Sequence, residues 1–420
     1  MVPRYLYHFV CLVVFLLVGA CDRGEQPLPA RESADLSAAL SRFTEDVRIA
    51  ERELLQSKFY VDEAARAEAY RYLSGMMAVQ LRDALHFNSD PAFPTFHRVV
   101  AIGNKWGFSN PDNLYLAATV SEDYGYRISG RLGTANHTIF GSYAGDDEDG
   151  RAGERVLGRD LRTADDGSFE LIVSKRRPPE AVNWIELVEK ATSITIYQVF
   201  GDWENEGKGA YRIEAIGRAG EAPAHLNEEL VGRQLTTAGN IVRSRVQDWL
   251  SIAERIDRLP DNRFMPPRQI QIASLGSWFQ YGNYKVEDDE ALIIEVESPV
   301  GARYWGLTLY NWWGETLDYR NRQTSLNHSQ ATIDQDGMLR VVLSARDPGV
   351  NNWLDISEHP RGPINWRVNS PSEPQRFSSR LVPFEALRKL LPPETPILSP
   401  AERKDAIAAR QRQVDKRYSE

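Results

Sequence analysis

The residues best suited to chemistry by type and spacing lie between Tyr304 and His328. Read as a strand, the segment alternates. Tyr304, Gly306, Thr308, Tyr310 and Trp312 fall on one face, and Trp305, Leu307, Leu309, Asn311 and Trp313 on the other. The second set suits a core. The first sets aromatic rings around a glycine, and such rings attract C–H groups and cations while their hydroxyl or indole N–H groups bond at the rim. A sugar ring or flat apolar ligand would stack there; the competing expectation is that this face is buried as well. Arg320 and Asn321 follow as polar groups able to fix a carboxylate, phosphate or sugar hydroxyl, although an arginine next to Asp318 more often makes a surface ion pair. Arg127, on an otherwise apolar strand, requires a carboxylate partner if buried, and Asp202 is the expected one. Tyr304, Tyr310, Trp312, Arg320, Asn321, Arg127 and Asp202 are therefore the candidate ligand contacts.

Catalytic patterns are sparse. Asp202, Glu204 and Glu206 flank Trp203, and two carboxylates beside an aromatic ring are the parts of a glycoside-cleaving site, although a solvated loop is the more usual origin of such a cluster. Asp146, Asp147, Glu148 and Asp149 do not make a calcium loop, because Gly145 holds the first position and Val156 the closing one. His86, His97, His137, His225, His328 and His359 show no H-x-H or H-E-x-x-H spacing. There is no G-x-S-x-G elbow, P-loop or G-x-G-x-x-G. No catalytic residue, metal or cofactor is predicted.

These residues need elements to position them. Leu40, Phe43, Val47, Ala50 and Leu54, then Tyr70, Leu73, Met76, Met77 and Leu81, recur at helical spacing between Ser33 and Leu85. From Pro94 the signal becomes strand-like. Helical spacing returns over 225–258 and ends at Pro260, strands resume from Ile270 to Val382, and a charged helix over 401–417 closes the chain, as a solvated face or a brace across the modules. The two strand-rich stretches repeat one another. Asp166-Gly167-Ser168 opens a strand followed by Asn183-Trp184, and Asp336-Gly337-Met338 opens one followed by Asn352-Trp353. Asp-Gly is hairpin chemistry, and Asn-Trp reads as a turn that plants an indole in the core. An aromatic strand lies upstream of each, around Tyr126 and around Tyr304. The predicted fold is α+β and mainly β: two repeated antiparallel sandwich or jelly-roll-like modules, an N-terminal helical layer and an inter-module helix. The boundaries are 1–20 leader, 21–32 tether, 33–92 helical layer, 93–222 first module, 223–263 linking helix, 264–392 second module and 393–420 terminal helix.

Ala67-Glu68-Ala69-Tyr70-Arg71-Tyr72-Leu73, Asn110-Pro111-Asp112-Asn113-Leu114-Tyr115, Tyr126-Arg127-Ile128-Ser129-Gly130, Asn183-Trp184 and Asp202-Trp203 resemble a bacterial family known as domain of unknown function 1214. So do Tyr304 to Asn311 and Asp347-Pro348-Gly349-Val350-Asn351-Asn352-Trp353-Leu354-Asp355. The resemblance spans roughly residues 60 to 415. It implies a β-rich fold often found in exported proteins, with no agreed activity and no functional residues to carry over.

The first twenty residues carry one basic group, Arg4, and an apolar run from Phe9 to Ala20, which is the pattern of an export signal. That run is short of the roughly 20 residues a spanning helix needs. Val18-Gly19-Ala20-Cys21 resembles a bacterial lipobox, so Cys21 is the predicted lipidation site and the membrane the predicted partner. Asp22 resembles an inner-membrane retention signal. With Cys11 removed and Cys21 acylated, neither of the 2 cysteines is left for thiol chemistry. A net charge of -9 gives no footprint for nucleic acid. The expected protein is an exported envelope lipoprotein that binds a small molecule, glycan or lipid in an aromatic cleft. The alternatives are a carboxylate- or metal-dependent hydrolase or lyase, and a scaffold whose aromatic faces only pack.

Overall fold

The computed structural model describes residues 31–87, 90–145, 151–269, 276–369 and 375–419. The leader, Cys21, most of the tether, the acidic stretch 146–150, Ser370 and Pro371 lie outside the described residues.

Strand formation begins at the turns. Gly167 and Gly337 take φ of 77° and 82°, a conformation that glycine reaches without a steric penalty. The carboxylates of Asp166 and Asp336 accept the backbone N–H of Ser168 and Met338 at 3.0 Å in both copies. The first module contains β1 (Asn113–Thr119), β2 (Tyr126–Arg131), β3 (His137–Ala144), β4 (Arg151–Leu157), β5 (Ser168–Ser174), β6 (Trp184–Glu186), β7 (Ser193–Val199) and β8 (Ala210–Ala215). The second contains β9 (Ser277–Lys285), β10 (Glu290–Glu297), β11 (Tyr304–Leu309), β12 (Ser325–Asn327), β13 (Met338–Ser344), β14 (Trp353–Asp355), β15 (Arg361–Asn369) and β16 (Phe377–Pro383).

The sheets run β1-β7-β3-β4 and β6-β5-β2-β8 in the first module, and β9-β15-β11-β12 and β14-β13-β10-β16 in the second. Every strand of the second module thus occupies the place of the strand eight before it. Short pairings at His97–Arg98 extend the β1 edge, and those at Arg263–Phe264 and Arg268–Gln269 extend the β9 edge. The repeat reaches individual side chains. Asn183 bonds the backbone of Arg162 in both directions and the carbonyl of Glu170, while Asn352 does the same to Thr332 and Arg340.

Two expectations are corrected. The strand equivalent to that of Tyr126 is β10, and Tyr304 corresponds to β3, so the two upstream aromatic strands are not copies of each other. The modules are also not wholly antiparallel, because β5–β6 and β13–β14 pair parallel. It is the asparagine of each Asn-Trp pair that stitches this short parallel strand in place.

The two sheets of each module enclose its core. Tyr126, Ile128, Phe140, Leu171, Val173, Ile194 and Ile196 fill the first, and Leu292, Ile294, Leu307, Leu309, Val341 and Trp366 the second. Each side chain of this size contributes about 1.5–3 kcal/mol when fully buried. α1 (Arg31–Gln56), α2 (Glu63–Arg82) and α3 (Glu228–Asp257) form a separate layer. Ala50, Leu54, Met76, Val242 and Val246 from this layer share one cluster with Phe108, Tyr310 and Trp313.

α4 (Pro400–Tyr418) opens on a capping box of Ser399 and Glu402. Arg403, Arg410 and Arg417 recur every seven residues on this helix, and all three are buried. Arg403 pairs with Asp347 at 2.9 Å. Arg410 donates to the Tyr319 carbonyl and to Ser325. Arg417 lies 4.4 Å from the centroid of the Trp203 ring. The helix is a brace, anchored in the second module through Arg403 and Arg410 and in the first through Arg417.

Candidate functional site

All six residues of β11 are buried, so the face expected to be an aromatic platform is sealed. The reason is Asp112, which is 1% exposed. Its carboxylate accepts the Tyr304 hydroxyl at 2.6 Å, the Trp203 indole N–H at 2.6 Å and the Asn327 amide at 2.9 Å. Asn110 also donates to the Tyr304 hydroxyl, at 2.8 Å. Gly306 leaves a gap, as its sequence position implied, but the gap is already filled. A Cβ there would come 2.5 Å from the Tyr304 hydroxyl oxygen and 3.1 Å from the Asp112 carboxylate. Asp112 and Trp203 belong to the first module and Tyr304 and Asn327 to the second, so this hub joins the two copies.

The other candidate contacts disperse. Tyr310 is fully buried and donates to the Ser109 carbonyl at 3.0 Å. Trp312 is half-buried and stacked on Phe59, with centroids 4.6 Å apart. Arg320 clasps Asp415 of α4 at 2.7 and 2.6 Å, the surface ion pair anticipated as its alternative role, although with a different partner. Asn321 is exposed and bonded to Asp318. Arg127 pairs with Glu170 and Glu214, both at 2.9 Å, and not with Asp202. These partners sit beside it on the neighbouring strands β5 and β8, a relation that sequence separation hides.

Asp202 accepts the backbone N–H groups of Glu204 and Asn205 and the Asn205 amide, and the Asn205 side chain is the main reason its carboxyl is held below the usual range. Glu206 accepts from Asn136, Gly201 and Asp202. Both carboxylates thus hold the loop together. No group of three or more His, Cys, Asp or Glu able to hold a metal ion occurs among the described residues.

What does assemble is a seam between the modules. In the second module, Phe279 and Gly306 are both paired with Arg367, and Tyr281 with Asn365, which places them on one face. In the first module, Tyr115 is paired with Tyr197, and both share the face of Ile139 and Tyr143. Tyr115 and Tyr197 meet edge to face at 5.2 Å, and Tyr197 and Tyr143 follow at 6.3 Å. This row of three rings crosses β1, β7 and β3, and each ring is only half-buried. The row begins near Arg367: the Tyr115 hydroxyl accepts the backbone N–H of Asn110 at 2.8 Å, two residues along from the Phe108 carbonyl that Arg367 bonds.

Arg367 is 7% exposed. It donates to the Tyr310 hydroxyl at 2.7 Å and to the Phe108 carbonyl, and among the described residues it forms no ion pair. The titratable groups that face it are Tyr310, Tyr281, Tyr115 and Tyr304. Burial pushes the Tyr115 phenol up to about 12 and raises the other three as well. All four are therefore neutral at physiological pH and supply no countercharge. Arg410 contrasts with it. Burial pulls its guanidinium down to about 10, and Asp112 is the first opposing charge.

At the edge of the seam His137, pulled down to about 4 chiefly by burial, sits 2.5 Å from the Asn369 amide through Nε2 and 2.9 Å from the Asn136 carbonyl oxygen through Nδ1. This fixes a neutral ring that donates from Nδ1. Two recesses lie away from the seam. One, of about 930 Å³, is lined by Arg42, Glu229 and Arg233 between α1 and α3. The other, of about 430 Å³, lies between Phe93–Phe96 and β8, and its Arg212 and Arg218 pair with Glu214 and Glu221.

Residues 282–373 match the family described as "Protein of unknown function (DUF1214)". This stretch of the chain is DUF1214-like. It covers the second module from β9 through β15, including Tyr304, Asn327 and Arg367. A crystal structure of an uncharacterized protein from Burkholderia cenocepacia aligns with 28% identity and a TM-score of 0.79, covering 85% of this chain and all of that one. The similarity therefore extends to the duplicated fold. The VPA0106 protein from Vibrio parahaemolyticus aligns with 10% identity and a TM-score of 0.44 over 83% of this chain and 100% of its own, and adds no argument. No functionally curated protein matches the chain.

Sequence reasoning missed Asp112, Arg367 and the tyrosine row. Arg367 had a readable signal, since the alternation of Ile364, Trp366 and Val368 with Asn365, Arg367 and Asn369 puts a charge on the second face of a strand whose first face is apolar. Tyr115, Tyr143 and Tyr197 lie on three strands and carry no shared local pattern.

Proposed function

We propose that the protein is an exported envelope lipoprotein, anchored through Cys21, that binds a small ring-bearing molecule in the seam between its two β modules. The observation that carries this reading is the row Tyr115, Tyr197 and Tyr143. Three adjacent rings on the sheet face turned toward the other module keep part of their surface uncovered. Half-covered phenols offer an apolar face for stacking, the kind of wall that small-molecule sites use to hold a ring, while the Tyr143 hydroxyl is buried and that of Tyr115 accepts the Asn110 N–H. The aromatic cleft expected on β11 is thereby assigned to the opposite wall, with Tyr304 and Tyr310 behind it as support. Hydrolysis has less support, because Asp202 and Glu206 are taken up by loop hydrogen bonds.

Native mass spectrometry of the full protein, extracted from its own membrane in mild detergent, tests the reading. The expected spectrum carries an extra mass, lost on denaturation and lost in the Tyr143→Ser/Tyr197→Ser variant. A bare wild-type chain, or a variant that retains the extra mass, contradicts it.

A further inference from the structure

Arg367 is a buried cation with no anion beside it among the described residues. Its two hydrogen bonds go to a phenol and a backbone carbonyl, and the tyrosines around it are neutral. Among the other buried arginines, Arg403 has Asp347 and Arg410 the field of Asp112, whereas Arg417 lies on the Trp203 ring with no hydrogen-bond partner among the described residues. The guanidinium of Arg367 lies 5.7 Å from the Phe279 centroid and 5.8 Å from that of Tyr310, near the outer limit of cation–π attraction, which is weaker than a counter-ion. Two acceptors also leave donors to spare in a group with five N–H bonds. These donors lie at the head of the tyrosine row.

We infer that Arg367 anchors an oxyanion carried by the ligand, either a carboxylate or a phosphate monoester. The planar fork of a guanidinium matches both groups in a bidentate geometry, and a ring attached to the anion would then lie along Tyr115 and Tyr197. The inference rests on the seam being the binding site and adds the chemical class of what enters it. It also explains why an arginine, and not an apolar residue, stands between Trp366 and Val368 in a buried strand.

The test is titration calorimetry of the full chain at low salt with benzoate, phenyl phosphate and the neutral benzyl alcohol. At least one oxyanion is expected to bind about tenfold or more tightly than benzyl alcohol, the scale of one charge-assisted hydrogen-bonded pair; which of the two does so separates carboxylate from phosphate. Arg367→Met should abolish that preference. Should this variant fail to fold, Arg367→Lys keeps the charge but loses the fork, and should weaken oxyanion binding while leaving benzyl alcohol unchanged. If all three probes bind equally and Tyr143→Ser/Tyr197→Ser abolishes binding, the seam stands and the anion anchor falls. Unchanged oxyanion preference in Arg367→Met or Arg367→Lys also overturns the anchor. Binding by none of the probes overturns both.

Discussion

At the scale of single residues, one carboxylate organises the junction of the two modules. Asp112 is buried and accepts three hydrogen bonds, from Trp203, Asn327 and Tyr304. Hydrogen bonds to a charged group are worth about 1.5–3 kcal/mol, and removing one partner of a buried charged set typically costs about 3–5 kcal/mol. Asp112→Ala should therefore lose about 3–5 kcal/mol in urea unfolding, and Tyr304→Phe about 1.5–3 kcal/mol. Losses below 1 kcal/mol for both would mean that the junction does not depend on this hub. Gly306 shows what sequence could and could not tell. The gap beside the rings was legible from alternation alone, but the Tyr304 hydroxyl that fills it is held there by Asp112, which lies 194 positions before the glycine, and nothing local in either segment announces the pairing.

At the scale of elements, the helical layer is clamped to the second module by an ion pair that depends on pH. His359 Nδ1 lies 2.7 Å from the Ser357 carbonyl and Nε2 3.1 Å from the Glu68 carboxylate of α2. Both partners are acceptors, so both ring nitrogens must carry protons. Burial opposes the charge, but Glu68 outweighs it and raises the His359 pKa above its usual value. A raised histidine pKa contributes stability that is complete below about pH 6.5, the unfolded value. That contribution disappears as pH rises through the folded value. Glu68 is opposed by burial too, yet His359 and then Arg71 bring it below the usual carboxyl range, so its contribution fades as pH falls through the folded value. His137 and His328 are held down by burial; they act in the opposite sense, losing stability as pH drops below about 6.5. The difference between wild type and His359→Gln isolates the clamp. It should be about 1 kcal/mol or more near pH 6, within the range of hydrogen bonds to charged groups, and shrink toward pH 9, as followed by thermal unfolding. A difference independent of pH would show that His359 is not charged in the folded protein.

At the scale of the whole molecule, the duplication was the most legible feature because its signals are local. An Asp-Gly turn, an alternating strand and an asparagine that ties three backbone segments are each encoded within a few residues. The helices were legible for the same reason, through the spacing of their buried faces. The seam was not, because it is made by packing two copies against each other. The same argument accounts for Arg127, whose carboxylates lie on adjacent strands, and for Arg320, whose partner sits on the brace α4. Duplication also left two unlike walls: one copy contributes the tyrosine row, and the other the buried guanidinium.

A crystal structure of the full chain grown with phenyl phosphate tests that arrangement most directly. The account predicts phosphoryl oxygens within about 3.2 Å of the Arg367 guanidinium, with the phenyl ring against Tyr115 and Tyr197. Arg367 bonded only to Tyr310 and Phe108, with the phosphate absent from the seam or bound elsewhere, would contradict it.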